Sequence, residues 1–231
     1  MSKGSKKYRA LVKAAPKAPV SIEEAVKFIK AHPGSAKFDE TVDVSMHLGM
    51  DTKKTDTPVR GVVKLPAGSG KKVTVVVFAG GDHAEEAKAA GADFVGMDDL
   101  IEKVVGGWTD FDVAIATTEA MKNVRKCARV LGPRGLMPNP KTGTVTDDPA
   151  TAVKDAKAGK VDFRMDKTGN CCVIAGKLSF DAEKLVSNIN AVVEAVQAAR
   201  PAVVKGAFIK SLTISSTMGV GVPCVLGTDA K

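Results

Sequence analysis

The chain has 231 residues, 44% of them apolar and 26% charged, and 34 Lys+Arg against 26 Asp+Glu leave a formal net charge of +8. That composition excludes a disordered tail and leaves room for one large domain or two small ones with a buried core. No apolar stretch approaches the ~20 residues of a membrane span, the basic N-terminus lacks a signal peptide's apolar run, and Cys127, Cys171, Cys172 and Cys224 show no CxxC spacing, so a cytoplasmic chain with free thiols and no membrane partner is expected.

The first stretch carries Lys3, Lys6, Lys7, Arg9, Lys13 and Lys17 with no acid before Glu23. It reads equally as a phosphate-tracking arm and as a solvated terminus. Ser21 followed by Glu24 makes a capping box for a helix from Ile22 to His32, with Ile22, Ala25, Val26 and Ile29 on one face and Pro33-Gly34 after it. Phe38, Val42, Val44, Met46 and Leu48 then share one side of a two-residue alternation against Asp39, Thr41, Asp43, Ser45 and His47. This predicts a half-buried strand.

A Gly/Pro/Lys-rich seam near Leu65 to Lys72 leads into the β-branched run Val73 to Phe78. Helix Asp82 to Ala90, the short strand Asp93 to Val95, helix Met97 to Val105, strand Val113 to Ala116 and helix Glu119 to Val130 follow. Strands alternating with helices at this spacing predict a parallel sheet in a small three-layer domain of Rossmann type. Its first turn, Ala79-Gly80-Gly81-Asp82-His83, is not GxGxxG, and Gly70-Lys71 precedes a strand instead of opening a helix, so a nucleotide cradle is not expected. Three prolines and two glycines between Leu131 and Lys141 predict an ordered loop without helix. From Ala120 to Thr146 there is no acid, while Arg125, Arg129, Arg134 and Lys141, with Lys122 and Lys126, make a basic patch.

After a second seam near Ala156 to Lys160, Val161, Phe163 and Met165 alternate with polar residues up to the turn Lys167-Thr168-Gly169-Asn170. Cys171 to Ala175 would complete a hairpin. Asp181 is placed to cap a long helix striped by Leu185, Ile189, Val192 and Val196 and stopped at Pro201. In the last strand Leu212 and Ile214 point one way, whereas Ser211, Thr213, Ser215 and Thr217 put hydroxyls on the other face, ahead of Met218-Gly219. Hydroxyls donate and accept, which suits phosphates, 2′-hydroxyls and base edges, yet the same alternation is ordinary on any solvated sheet face. Pattern alone leaves both readings open.

The charge divides unevenly. Residues 1–67 hold 13 basic and 7 acidic groups and residues 159–231 hold 9 and 6, against 12 and 13 in residues 68–158. If the outer parts pack together, a basic two-layer α+β domain carries an inserted, nearly neutral Rossmann-like α/β domain, and only the first has the balance of a polyanion binder. No nucleophile–base motif and no His/Cys ligand spacing occurs, so neither catalysis nor a metal site is expected.

The run Gly132-Pro133-Arg134-Gly135-Leu136-Met137-Pro138-Asn139-Pro140-Lys141-Thr142-Gly143-Thr144-Val145, together with Lys210-Ser211-Leu212-Thr213-Ile214-Ser215-Ser216-Thr217-Met218-Gly219, resembles the bacterial ribosomal protein L-one family of the large-subunit stalk. Tyr8 to Val26 and Gly80-Gly81 share the likeness, which covers essentially the whole chain. The resemblance implies a Rossmann-like domain inserted into an α+β domain, no cofactor and no catalysis. It implies binding to the stalk region of large-subunit rRNA, assistance in releasing exit-site tRNA, and repression of translation from the protein's own operon mRNA. Carried over by residue, RNA contacts fall on Lys37, Phe38, Arg164, Thr168, Ser211, Thr213, Ser215, Thr217, Met218 and Gly219. Arg125, Arg129, Arg134 and Lys141 form a second candidate contact. The competing reading, a nucleotide-dependent enzyme with a Rossmann domain, would require the missing glycine fingerprint.

Overall fold

The structure, a computed structural model, describes residues 6–33, 37–50, 59–201, 204 and 206–225. In chain order the elements are α1 (Lys6–Ala14), α2 (Ile22–Ala31), β1 (Thr41–Leu48), β2 (Arg60–Lys64), β3 (Val75–Phe78), α3 (Asp82–Ala89), β4 (Phe94–Gly96), α4 (Asp98–Val105) and β5 (Val113–Ala116). They continue with α5 (Met121–Val124), α6 (Ala128–Arg134), α7 (Pro149–Lys157), β6 (Lys160–Arg164), β7 (Asn170–Lys177), α8 (Ala182–Ala198), β8 (Ile209–Ser216) and β9 (Val222–Cys224). The chain divides into two compact units, Met1–Gly70 with Val161–Lys231, and Lys71–Lys160. The fold is mixed, α+β in the first unit and α/β in the second.

In the first unit a four-stranded antiparallel sheet has the order β7-β1-β8-β9. Its apolar alternants, Val42, Val44, Met46 and Leu48 of β1, Val173 of β7 and Leu212 and Ile214 of β8, are buried. They pack in one core with Ala25, Val26 and Ile29 of α2 and the Leu185, Ile189, Val192 and Val196 stripe of α8. Each such aliphatic side chain contributes about 1.5–3 kcal/mol by leaving water. The capping box starts α2 as the sequence predicts: Glu24 N–H donates to Ser21 Oγ at 3.2 Å and Ser21 N–H to Glu24 Oε2 at 3.3 Å. Asn188, fully buried on α8, is satisfied by Ala175 O at 2.7 Å, Gly68 O at 3.0 Å and the Ala67 N–H at 3.0 Å.

Several expectations are corrected here. The turn before Cys171 does not close a regular hairpin: β6 pairs with β2 in a separate two-stranded sheet while β7 joins β1, and only Met165 and Cys171 bridge the two arms. Asp181 occupies the N-cap of α8 without a side-chain cap bond and instead takes Lys184 Nζ at 2.9 Å. Phe38 lies ahead of β1 and is 57% exposed; the inward alternant is Glu40, 2% exposed. Strands β2 and β9 and helices α1 and α7 were not legible as elements.

In the second unit β4-β3-β5 form a parallel sheet. Val76, Phe78, Ala114 and Ala116 face a core shared with α4, α5 and α6, whereas Val75, Val77 and Ile115 face α3 and α7. Apolar packing on both sides explains the unbroken β-branched run. The helix expected over Glu119 to Val130 starts later and is interrupted by a 3-10 turn, Arg125–Cys127. It then resumes as α6 through Gly132 and Pro133, contrary to the loop predicted for Leu131 onward. Pro133 is tolerated near the C-terminus of this short helix, and Gly135 ends it in the left-handed region at φ +73°. No helix among the described residues is long and apolar enough to cross a membrane.

Candidate nucleic-acid interface

The strand pleat that buries one face of the four-stranded sheet under α2 and α8 presents the opposite set of side chains outward. Strand pairing aligns them in three rows: Ile174, Asp43 and Ser215; Cys172, Ser45 and Thr213; Asn170, His47 and Ser211. All nine are exposed or half-buried. Ser45 Oγ donates to Cys172 Sγ at 3.5 Å and His47 Nδ1 lies 2.9 Å from Asn170 Oδ1. Partial burial raises the Asp43 pKa above the usual aspartate value against the opposing charge of Lys177. The hydroxyls of Ser211, Thr213 and Ser215 have no protein partner among the described residues, so each keeps its donor and acceptors for a ligand.

At the Thr41 end of this face the strand termini are tied together. Thr217 Oγ1 accepts from Thr41 N–H at 3.0 Å and donates to Thr41 O at 3.2 Å, and Thr217 N–H returns to Thr41 O at 3.0 Å. The next amide, Met218 N–H, donates to the buried Glu40 Oε2 at 3.3 Å. Gly219 N–H closes on Ser216 O at 3.0 Å. A Cβ at position 219 would fall 2.3 Å from Ser216 Oγ, so a side chain there obliges the Ser216 hydroxyl to move. Beyond these fixed atoms Met218 and Phe38 stand 53% and 57% exposed, with exposed Lys37 beside Phe38 in the chain.

The Leu48 end is built on Asp166. Its carboxylate accepts from Thr168 N–H at 2.9 Å, Thr168 Oγ1 at 2.7 Å and Asn170 N–H at 2.7 Å, while Asn170 Nδ2 donates to Thr168 Oγ1 at 2.8 Å. These bonds, the Thr168 hydroxyl foremost, hold the Asp166 pKa below the usual value. Gly169 O accepts Leu48 N–H at 2.8 Å, which anchors the turn to β1. Arg164 is the exposed last residue of β6. Between the two ends β1 extends for eight residues, ~27 Å at ~3.4 Å per residue.

Of the residues nominated from sequence, Ser211, Thr213 and Ser215 therefore line the open face, Lys37, Phe38, Thr217, Met218 and Gly219 gather at one end, and Thr168 sits at the other. Glu40, Thr41, Asp166 and Asn170 were missed as supports. The Asp166-Lys167-Thr168-Gly169-Asn170 spacing carried the signal for an Asx turn, and Glu40 stood on the inward parity of the alternation. In the second unit Arg125 and Arg129 are exposed, Arg134 donates to Thr109 Oγ1, and Lys141 belongs to the 3-10 turn Pro140–Thr142, its side chain lying outside the described residues. Lys3 of the basic arm also lies outside them, whereas Lys6, Lys7, Arg9 and Lys13 stand on helix α1.

Comparison with known proteins gives one family. The model of the ribosomal protein L1p/L10e family matches residues 27–220. The chain is 53% identical over 223 residues to the large ribosomal subunit protein uL1 of Mycobacteroides abscessus, covering 96% of this chain and 94% of that one. It is 54% identical to the protein of the same name from Streptococcus pneumoniae and 53% identical to that from Streptococcus thermophilus, in each case over 96% of this chain and 97% of the relative.

Proposed function

Because the chain belongs to the ribosomal protein L1p/L10e family, a family of structural, non-enzymatic proteins, we propose that it is a constituent of the large ribosomal subunit that binds the stalk region of large-subunit rRNA through the discontinuous domain 1–67 and 159–231. The observation that carries this reading is the open sheet face. Three hydroxyls without a partner among the described residues, on Ser211, Thr213 and Ser215, run between a Phe38/Met218 end and an Asp166-braced Thr168 end. Exposed Phe38 can stack on a splayed base, Lys37 and Arg164 can neutralise phosphates, and hydroxyls can read 2′-hydroxyls and base edges.

The same reading gives the chain two further roles, assistance in the release of exit-site tRNA on a cytoplasmic ribosome and, as protein not bound to rRNA, repression of translation from its own operon mRNA, both without a cofactor. A messenger leader would occupy the same face as rRNA, so the two RNAs should compete. The test is a salt titration of full-length protein on deproteinised large-subunit rRNA. With ~4 to 6 phosphates neutralised, log K should fall against log salt with a slope of roughly −3 to −5; a flat response overturns the reading.

A further inference from the structure

The second unit carries cations that its own structure does not use. Between Met121 and Arg134, Val124, Cys127 and Leu131 are fully buried against the sheet. Lys122, Arg125, Lys126 and Arg129, at intervals of three and four residues, are all exposed, which sets them on the opposite side of the segment. Three cations of this unit do have partners: Lys71 lies 2.5 Å from Asp112 and Lys157 lies 3.3 Å from Asp93, while Arg134 is held by Thr109; Lys72, Lys88, Lys103 and Lys154 are exposed like the four but scattered over separate segments. None of Lys122, Arg125, Lys126 and Arg129 has a carboxylate partner among the described residues. The nearest acids in the chain or on the packed helix α4, namely Glu119, Asp98, Asp99 and Glu102, form no ion pair with them.

Like charges held on one face repel one another, and a ligand of high negative charge density relieves that cost. From Lys122 to Arg129 the row runs ~11 Å along the segment at ~1.5 Å per residue. No aromatic residue accompanies the four cations in this segment, so the face offers charge and guanidinium forks without a stacking platform. We infer that Lys122, Arg125, Lys126 and Arg129 form a second RNA-docking surface, one that grips the phosphate backbone of an RNA without reading its sequence. Arg134, grouped with Arg125 and Arg129 in the sequence, is turned to Thr109 and is not counted in it. This inference rests on the proposal that the chain binds RNA.

The test compares full-length protein with a variant carrying Lys122→Gln, Arg125→Gln, Lys126→Gln and Arg129→Gln, and with a control of equal net charge carrying Lys72→Gln, Lys88→Gln, Lys103→Gln and Lys154→Gln. The probe is deproteinised large-subunit rRNA, titrated with KCl, with thermal unfolding measured alongside. All eight positions are exposed, so unfolding should be unchanged. The face variant should bind about tenfold more weakly at 0.1 M salt, with a slope shallower by about 2 to 4, and the control should stay near the unaltered protein. Equal losses in variant and control overturn the inference in favour of net charge alone. Unchanged rRNA binding by the face variant, with or without loss from whole ribosomal particles, overturns it as well, and loss from the particles alone assigns the face to an acidic protein. An unaltered chain that binds no RNA overturns both this inference and the proposal beneath it.

Discussion

Replacing Thr217 by valine keeps the side-chain volume and removes one hydroxyl. In the structure that hydroxyl bridges both polar groups of Thr41, accepting its N–H at 3.0 Å and donating to its carbonyl at 3.2 Å. Two hydrogen bonds at an exposed strand end, each contributing about 0.5–1.5 kcal/mol net, give an expected loss of about 1–2 kcal/mol. For a chain of this size that corresponds to a fall of about 2–8 °C in Tm. Thr217→Ser, which keeps the hydroxyl, should restore most of it. With its proton given to Thr41, the Thr217 oxygen keeps one lone pair, so toward RNA it can only accept, for example from a 2′-hydroxyl. Thr217→Val should therefore weaken both the fold and RNA affinity, the latter by about 1–3 kcal/mol. Urea denaturation and rRNA binding measured on the same preparations check this. An unchanged urea midpoint in the valine variant would refute the bridging role, and unchanged affinity at full folding would remove the turn from the RNA contact.

Three further outcomes follow from the geometry. Gly219→Ala should lower Tm in RNA-free protein, because its Cβ would meet Ser216 Oγ at 2.3 Å; a stability equal to that of the unaltered protein would show that the turn can open. In native protein a thiol reagent should modify Cys172 first, since Cys127, Cys171 and Cys224 are buried and burial pushes the Cys171 and Cys224 thiols up to about 11; mass mapping of the labelled peptide decides, and early labelling of Cys171 would contradict the buried face. The pKa of Asp112 is lowered by Lys71 and the Thr74 N–H, and that of Asp93 by the Val75 N–H and Lys157. Groups with depressed folded values stabilise the native state above the ordinary aspartate value near ~4 and lose that contribution as pH falls through the folded values. Acid unfolding followed by Trp108 fluorescence should therefore begin at higher pH in Asp112→Asn than in the unaltered protein, and coincident curves would refute the contribution.

Most of the architecture was readable from periodicity. Strict alternation over Val42 to Leu48, the stripe on α8 and the β-branched run of β3 each dictate which side is dry, and the buried sets agree residue by residue. Short elements escaped because their stability is tertiary. β2 and β9 are held by pairing with β6 and β8, and α6 passes through Gly132 and Pro133 because Leu131 and Val124 are locked in the core beneath it. The hydroxyl row was visible in sequence, but which hydroxyls remain free was not. Thr217 and Thr168 are occupied by partners that sit opposite on β1 or behind the turn, whereas Ser211, Thr213 and Ser215 face solvent. Likewise Glu40 beneath Met218 could not be found without the register that places the end of β8 over the start of β1.

The claim that the open sheet face holds RNA is tested most directly by photo-crosslinking full-length protein to large-subunit rRNA and mapping the crosslinked peptides by mass spectrometry. The account predicts crosslinks at Phe38, in the Arg164 to Thr168 segment and across Ser211 to Gly219. Crosslinks that instead fall on the outer surfaces of α2 and α8, with that face and its two ends unmarked, would contradict it.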